Sequence, residues 1–151
     1  MPALRGGGEY GEEWHQAGAR INKANAIDDH ISAAQYLMDA GLARRSLLVA
    51  ETNSAGGPVV AAAIIRKPDL FGGAAILAFP LLDLLNYENY THAGRWRSEL
   101  GSVKNADEFA SLLSYSTVHN VISGTCYPPV PPGALDEITP PMHASENAQR
   151  R

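Results

Sequence analysis

The chain has 151 residues and a mass of 16.1 kDa, room for one domain with a real core but not for two, since a chain near this size buries about 68 to 70% of its unfolded surface. Apolar residues make up 45% and charged residues 19%, a globular rather than disordered balance, and 14 glycines with 10 prolines announce much loop. The net charge of -4, from 12 basic against 16 acidic residues, argues against nucleic acid as a partner, because phosphate neutralisation needs a basic stripe that the sequence lacks.

Residues 1 to 25 are glycine-rich and polar and read as loop. From Ile27 the period becomes helical: Ile27, Ile31, Ala34, Leu37 and Met38 fall on one face, Asp28 and Asp29 are expected in the first turn, and Gly41 stands at the C′ position. The short apolar run Ser46 to Ala50 reads as a buried strand. Ala55 to Arg66 is apolar nearly all round, which marks a buried helix, and Pro58 places its start near residues 55 to 57. Gly73 to Phe79 reads as a second strand, so the segment is a βαβ unit of a parallel sheet.

Residues 83 to 104 mix Tyr87, Tyr90 and Trp96 with polar residues and read as an ordered surface excursion. Asn105 is the expected N-cap of a further helix, with Glu108 in the capping-box position. Six of the ten prolines lie between Pro128 and Pro141, so residues 127 to 151 form a Pro-rich tail distinct from residues 1 to 126. The longest apolar run, Val59 to Ile65, is far below the roughly 20 residues that cross a bilayer, so no membrane association is expected. The N-terminus has no apolar signal core and the single Cys126 cannot form an internal disulfide, which makes a cytoplasmic setting the default. Cys126 has no basic neighbour to lower its pKa and reads as a bystander.

The most informative stretch is Thr52-Asn53-Ser54-Ala55-Gly56-Gly57, between a strand and a buried helix. A serine on such a turn has an exposed Oγ, a following N–H free to face an oxyanion, and the positive end of a helix dipole close by. Thr52 departs from G-x-S-x-G, which places glycine two residues before the serine; the other reading is a plain βα turn capped by Ser54. Gly6-x-Gly8-x-x-Gly11 also fits a dinucleotide fingerprint with Asp28 or Asp29 near a ribose, but only Pro2 to Leu4 is available as its strand. No metal spacing is recognisable, and no cofactor is expected.

Arg5 to Gly11 followed by Trp14-His15, then Asn22-Lys23, Asp28-Asp29, the serine turn, Arg66 to Gly72, Tyr90-Thr91, Trp96, Gly101 and Tyr115 to Val121 together resemble the catalytic domain of the prolyl oligopeptidase family. The resemblance implies a partial α/β-hydrolase fold, with parallel strands flanked by helices, and a serine peptidase acting on short peptides, typically after proline. It further implies a β-propeller domain ahead of the catalytic domain in complete members. By the same resemblance Ser54 matches the nucleophile, the Ala55 N–H an oxyanion donor, Trp96 the indole that stacks on the substrate proline, and Leu81 an apolar wall of that pocket.

Asp136, in Asp136 to His143, takes the place of the family's triad aspartate, while Ile138 stands where the family has a substrate-anchoring arginine. The chain ends 15 residues after Asp136, and His143 matches the histidine inside the aspartate motif rather than the catalytic base. His15, His30, His92 and His119 read as surface or packing residues. Without a base a serine hydroxyl is a poor nucleophile. Two readings therefore stand: a peptidase whose base lies elsewhere, and a catalytically inactive α/β module.

Overall fold

The computed structural model describes residues 1 to 89 and 93 to 128. The Pro-rich segment from 129 onward, with Asp136, Ile138 and His143, and the residues Tyr90, Thr91 and His92 lie outside the described residues.

The glycine-rich start leads into a single turn of helix, α1 (Glu12–Gln16), entered through Gly11 at φ 85°. The first long helix, α2 (Lys23–Asp39), begins four residues ahead of the apolar period, so Asp28 and Asp29 lie in its second turn rather than its first. Asp29 is instead occupied by Arg5, whose backbone N–H and Nε both donate to Oδ2 at 2.9 Å. The C-terminus of α2 is a Schellman motif: Gly41 at φ 69° donates to Met38 O at 3.0 Å and Leu42 donates to Leu37 O at 2.9 Å.

The first strand, β1 (Val49–Asn53), is shifted three residues beyond the apolar run that announced it. Arg45–Leu47 coil into a 3₁₀ turn, with Leu47 donating to Arg44 O at 2.8 Å, and the ladder opens only where Gly73 donates to Leu48 O at 3.2 Å. Hydrophobicity alone does not set a strand's ends; the partner's hydrogen bonds do. That partner is β2 (Ala74–Ala78), parallel to β1 and in register from Val49↔Ala74 to Asn53↔Ala78. Between them runs α3 (Gly57–Arg66), entered through a 3₁₀ turn at Ser54–Gly56 and carrying Pro58 in its first turn. Val60 through Ile64 are buried, as an all-round apolar helix requires.

The described residues between 83 and 104 are not simply a surface excursion. Leu84 and Tyr87 are fully buried and the short helix α4 (Arg97–Leu100) ends on buried Leu100. Tyr87 misled the sequence reading because its ring fills the core while its hydroxyl donates to Gly101 O, so a polar-tipped residue pays no burial penalty.

Helix α5 (Ala106–Tyr115) is capped by Asn105, whose Oδ1 accepts from the N–H groups of Asp107 at 3.0 Å and Glu108 at 3.1 Å. The reciprocal half of the capping box is not made. Glu108 turns away to accept from Ser102 N–H at 2.8 Å and to pair with Arg20, two partners worth more than one backbone N–H. A last turn, α6 (Thr117–Asn120), follows. The core gathers Ile27 of α2, the buried face of α3, Ala50, Ala75 and Leu77 of the sheet, Phe71, Leu81, Leu82, Leu84 and Tyr87, and Leu112, Tyr115 and Val118. Among the described residues no helix is long and apolar enough to cross a membrane.

Candidate active site

Ser54 follows the last residue of β1 and holds φ at 44°, a left-handed conformation that costs a non-glycine residue about 1 to 2 kcal/mol. It does not cap a helix: Gly56 is the N-cap of α3, and neither that helix nor the 3₁₀ turn before it has a side-chain cap. A strained serine between a parallel strand and a buried helix has the geometry of a nucleophile elbow. Ala55, the next residue, is exposed.

Two glycines allow this turn to close. A Cβ on Gly57 would stand 2.9 Å from Pro80 Cα and 3.1 Å from Leu81 N, so only glycine lets α3 start against the chain leaving β2. A Cβ on Gly56 would collide with the Thr52 hydroxyl. Thr52 therefore sits in the space that Gly56 leaves, which is how the turn tolerates a threonine where G-x-S-x-G has its first glycine.

The remaining residues singled out from sequence are dispersed. Leu81 is wholly buried, packed in the core behind the strand ends rather than presented to solvent. Trp96 ends the 3₁₀ turn Ala93–Trp96 and is half-buried against the core. Asp136 lies outside the described residues. The described histidines are engaged elsewhere. His15 Nδ1 bonds Gly6 O at 2.9 Å with its Nε2 3.4 Å from Glu99, His30 stacks on Phe71 with ring centroids 5.7 Å apart, and His119 shares a 2.8 Å hydrogen bond with Ser116. Ser116 in turn accepts from Leu84 N–H at 3.0 Å, so His119 belongs to the bracing of the segment after β2.

Burial and charge around the site are those of scaffolding. Desolvation, reinforced by Glu88, pushes the Tyr87 hydroxyl up to about 12, so it stays a proton donor to Gly101 O. Burial opposes ionisation of Glu88, but hydrogen bonds from Arg97, Ser102 and Val103 outweigh it and hold the carboxyl below its usual range. The dinucleotide reading finds no support here: α1 has five residues and follows loop rather than a strand, and Asp29 is taken by Arg5. Among the described residues no three His, Cys, Asp or Glu side chains are placed to hold a metal ion.

Sequence reasoning missed Phe79. It follows β2 as Ser54 follows β1, holds φ at 51° and is exposed. Pro80 next to it was a readable signal that the strand ends there, but a left-handed φ at phenylalanine has no sequence signature.

Residues 1–149 match the model of the prolyl oligopeptidase family. The chain belongs to that family. It is 41% identical over 132 residues to a prolyl endopeptidase of Elizabethkingia meningoseptica, covering 85% of this chain and 18% of that protein. A dual function macrocyclase-peptidase of Galerina marginata is 40% identical over 121 residues, covering 80% of this chain and 17% of that one. Among solved structures, prolyl oligopeptidase B from Galerina marginata bound to a 35-residue substrate superposes with a TM-score of 0.89 at 35% identity, over 99% of this chain and 21% of that chain. The family chain thus adopts part of an α/β-hydrolase catalytic domain, with parallel strands flanked by helices, and spans about a fifth of the length of the relatives it matches.

Proposed function

We propose that this chain is the nucleophile-bearing part of a prolyl oligopeptidase-type serine peptidase that hydrolyses short peptides, typically after proline. The observation that carries the reading is Ser54 at φ 44° on the turn between parallel β1 and α3. In this reading the Ser54 Oγ attacks the scissile carbonyl carbon while a base outside the described residues takes its proton. The resulting oxyanion is met by the Ala55 N–H and by the positive end of α3. Collapse expels the amine, and water then hydrolyses the acyl-serine. Trp96 offers an aromatic face suited to a proline ring, which has no N–H to satisfy. Leu81, having no exposed surface, backs the site from the core. Asp136 is assigned as the acid that orients the base.

The whole protein's architecture belongs to the same proposal. The outward face of the parallel pair leaves Val49 and Ile76 exposed, which supports a catalytic domain larger than these residues, with a propeller domain ahead of it as in complete members. Residues 1 to 126 form the hydrolase portion and 127 to 151 its Pro-rich continuation. A cytoplasmic setting fits a chain whose lone, exposed Cys126 calls for no oxidising compartment.

A serine-directed fluorophosphonate tests the reading. Labelling of the wild-type chain that disappears in Ser54→Ala supports it, and equal labelling of both rejects Ser54 as nucleophile. Turnover of a proline-containing chromogenic dipeptide, lost in Ser54→Ala, excludes the inactive module.

A further inference from the structure

Three described non-glycine residues hold a positive φ: Arg20 at 51°, Ser54 at 44° and Phe79 at 51°. Such strain persists only where the surrounding structure compensates for it, or at sites where function requires it. Arg20 has a structural compensation, since its guanidinium pairs with buried Glu108, which in turn accepts from Ser102 N–H at 2.8 Å. Among the described residues Phe79 has none of that kind. It is 48% exposed, it is absent from the apolar core, and its ring leaves a large hydrophobic surface in water.

Its position is set by the sheet. The register pairs Asn53 with Ala78, so Ser54 and Phe79 are the first residues past the matched ends of two adjacent parallel strands, which lie about 4.8 Å apart. The two turns are also locked together: Gly57, three residues after Ser54, fits against Pro80 so closely that a Cβ there would lie 2.9 Å from Pro80 Cα. The strained backbone at 79 therefore places an exposed aromatic residue at the strand end adjacent to that of the strained serine. Leu81, two residues on, is fully buried, so Phe79 is the apolar side chain that reaches solvent at this strand end.

From this juxtaposition we infer that Phe79 is a specificity-determining residue, an apolar wall for the substrate side chain next to the carbonyl that Ser54 attacks. The inference rests on the proposed role of Ser54 and adds to it the surface that selects the peptide. The ligand chemistry is a rigid or branched apolar group on the acyl side of the scissile bond, since an exposed phenyl ring offers dispersion contact and no hydrogen bond.

The test compares two covalent probes on the full chain: an alkyl fluorophosphonate without a ring, and a diphenyl phosphonate of N-acylated proline. Phe79→Ala is expected to slow labelling by the proline probe about tenfold more than labelling by the alkyl probe, the scale of one lost apolar contact. Phe79→Leu should recover part of that ratio. Phe79→Gly separates recognition from folding: glycine accepts the left-handed φ without strain, so the variant should melt no earlier than Phe79→Ala yet discriminate equally poorly. An unchanged probe ratio in Phe79→Ala and Phe79→Gly, or equal losses with both probes, overturns the inference while leaving Ser54 intact. Failure of both probes to label Ser54 in the wild type overturns the underlying reading and the inference with it.

Discussion

In the parallel pair, neighbouring residues of one strand have opposite fates: Ala75 and Leu77 are buried against α3, while Ile76 between them is 44% exposed, as is Val49 across the ladder at 48%. In the segment that follows, Leu81, Leu82, Leu84, Tyr87, Leu100, Leu112 and Tyr115 are almost wholly buried, and among its described residues the outer face of α5 shows large apolar groups, Phe109 and Leu113, to solvent. Parallel sheets ordinarily have both faces covered. One face of the sheet is thus closed by the core while its other face is left open, and Ser54 and Phe79 follow the C-terminal ends of that half-covered sheet.

Substitutions on either side of this contrast give different expected losses. Leu84→Ala, in the closed region, is expected to destabilise the chain by about 2 to 5 kcal/mol, read as a fall in urea midpoint at constant slope. Gly56→Ala forces a methyl group into the Thr52 hydroxyl and should cost about 1 to 3 kcal/mol; adding Thr52→Ala to that variant should return most of the loss, giving a measurable coupling between the two. Asn105→Ala removes the acceptor for two N–H groups of α5 and should cost about 1 kcal/mol in the same assay.

Ile76→Thr, on the open face, should change stability by no more than about 0.5 kcal/mol. A loss comparable to Leu84→Ala would mean that the outer face is covered in solution, and the contrast would fail. The last effect vanishes at neutral pH. Burial holds the His30 imidazole below its ordinary 6.5, so the folded chain resists the proton that the unfolded chain accepts. Stability from this source is complete above about pH 6.5 and falls as pH drops through the folded value. Wild type should therefore lose more of its melting temperature than His30→Phe between pH 7.5 and 5.5; equal losses would assign the acid sensitivity to other groups.

Much of the fold was legible because the signals were local. Helix α2 and its Gly41 stop, Pro58 in the first turn of α3, the Asn105 cap and the βαβ order all follow from spacing and turn chemistry over a few residues. The misreadings share a different cause. The start of β1 depended on where β2 supplies partners, Glu108 was drawn from its box by Arg20, 88 positions away in sequence, and Tyr87 was buried by a carbonyl at Gly101. At the site, the serine turn could be read from its neighbours, but not that Thr52 fits the gap over Gly56, nor that Leu81 faces the core and Phe79 the solvent.

The family resemblance, the serine on its strand-to-helix turn and the parallel unit around it were all readable from the residues alone, because they reside in residue types at short spacing. It took the folded chain to show that the ends of β1 and β2 coincide, so that two strained residues, Ser54 and Phe79, follow adjacent strand ends. Register and backbone strain arise from the packing of segments far apart in the chain, and no single residue encodes them.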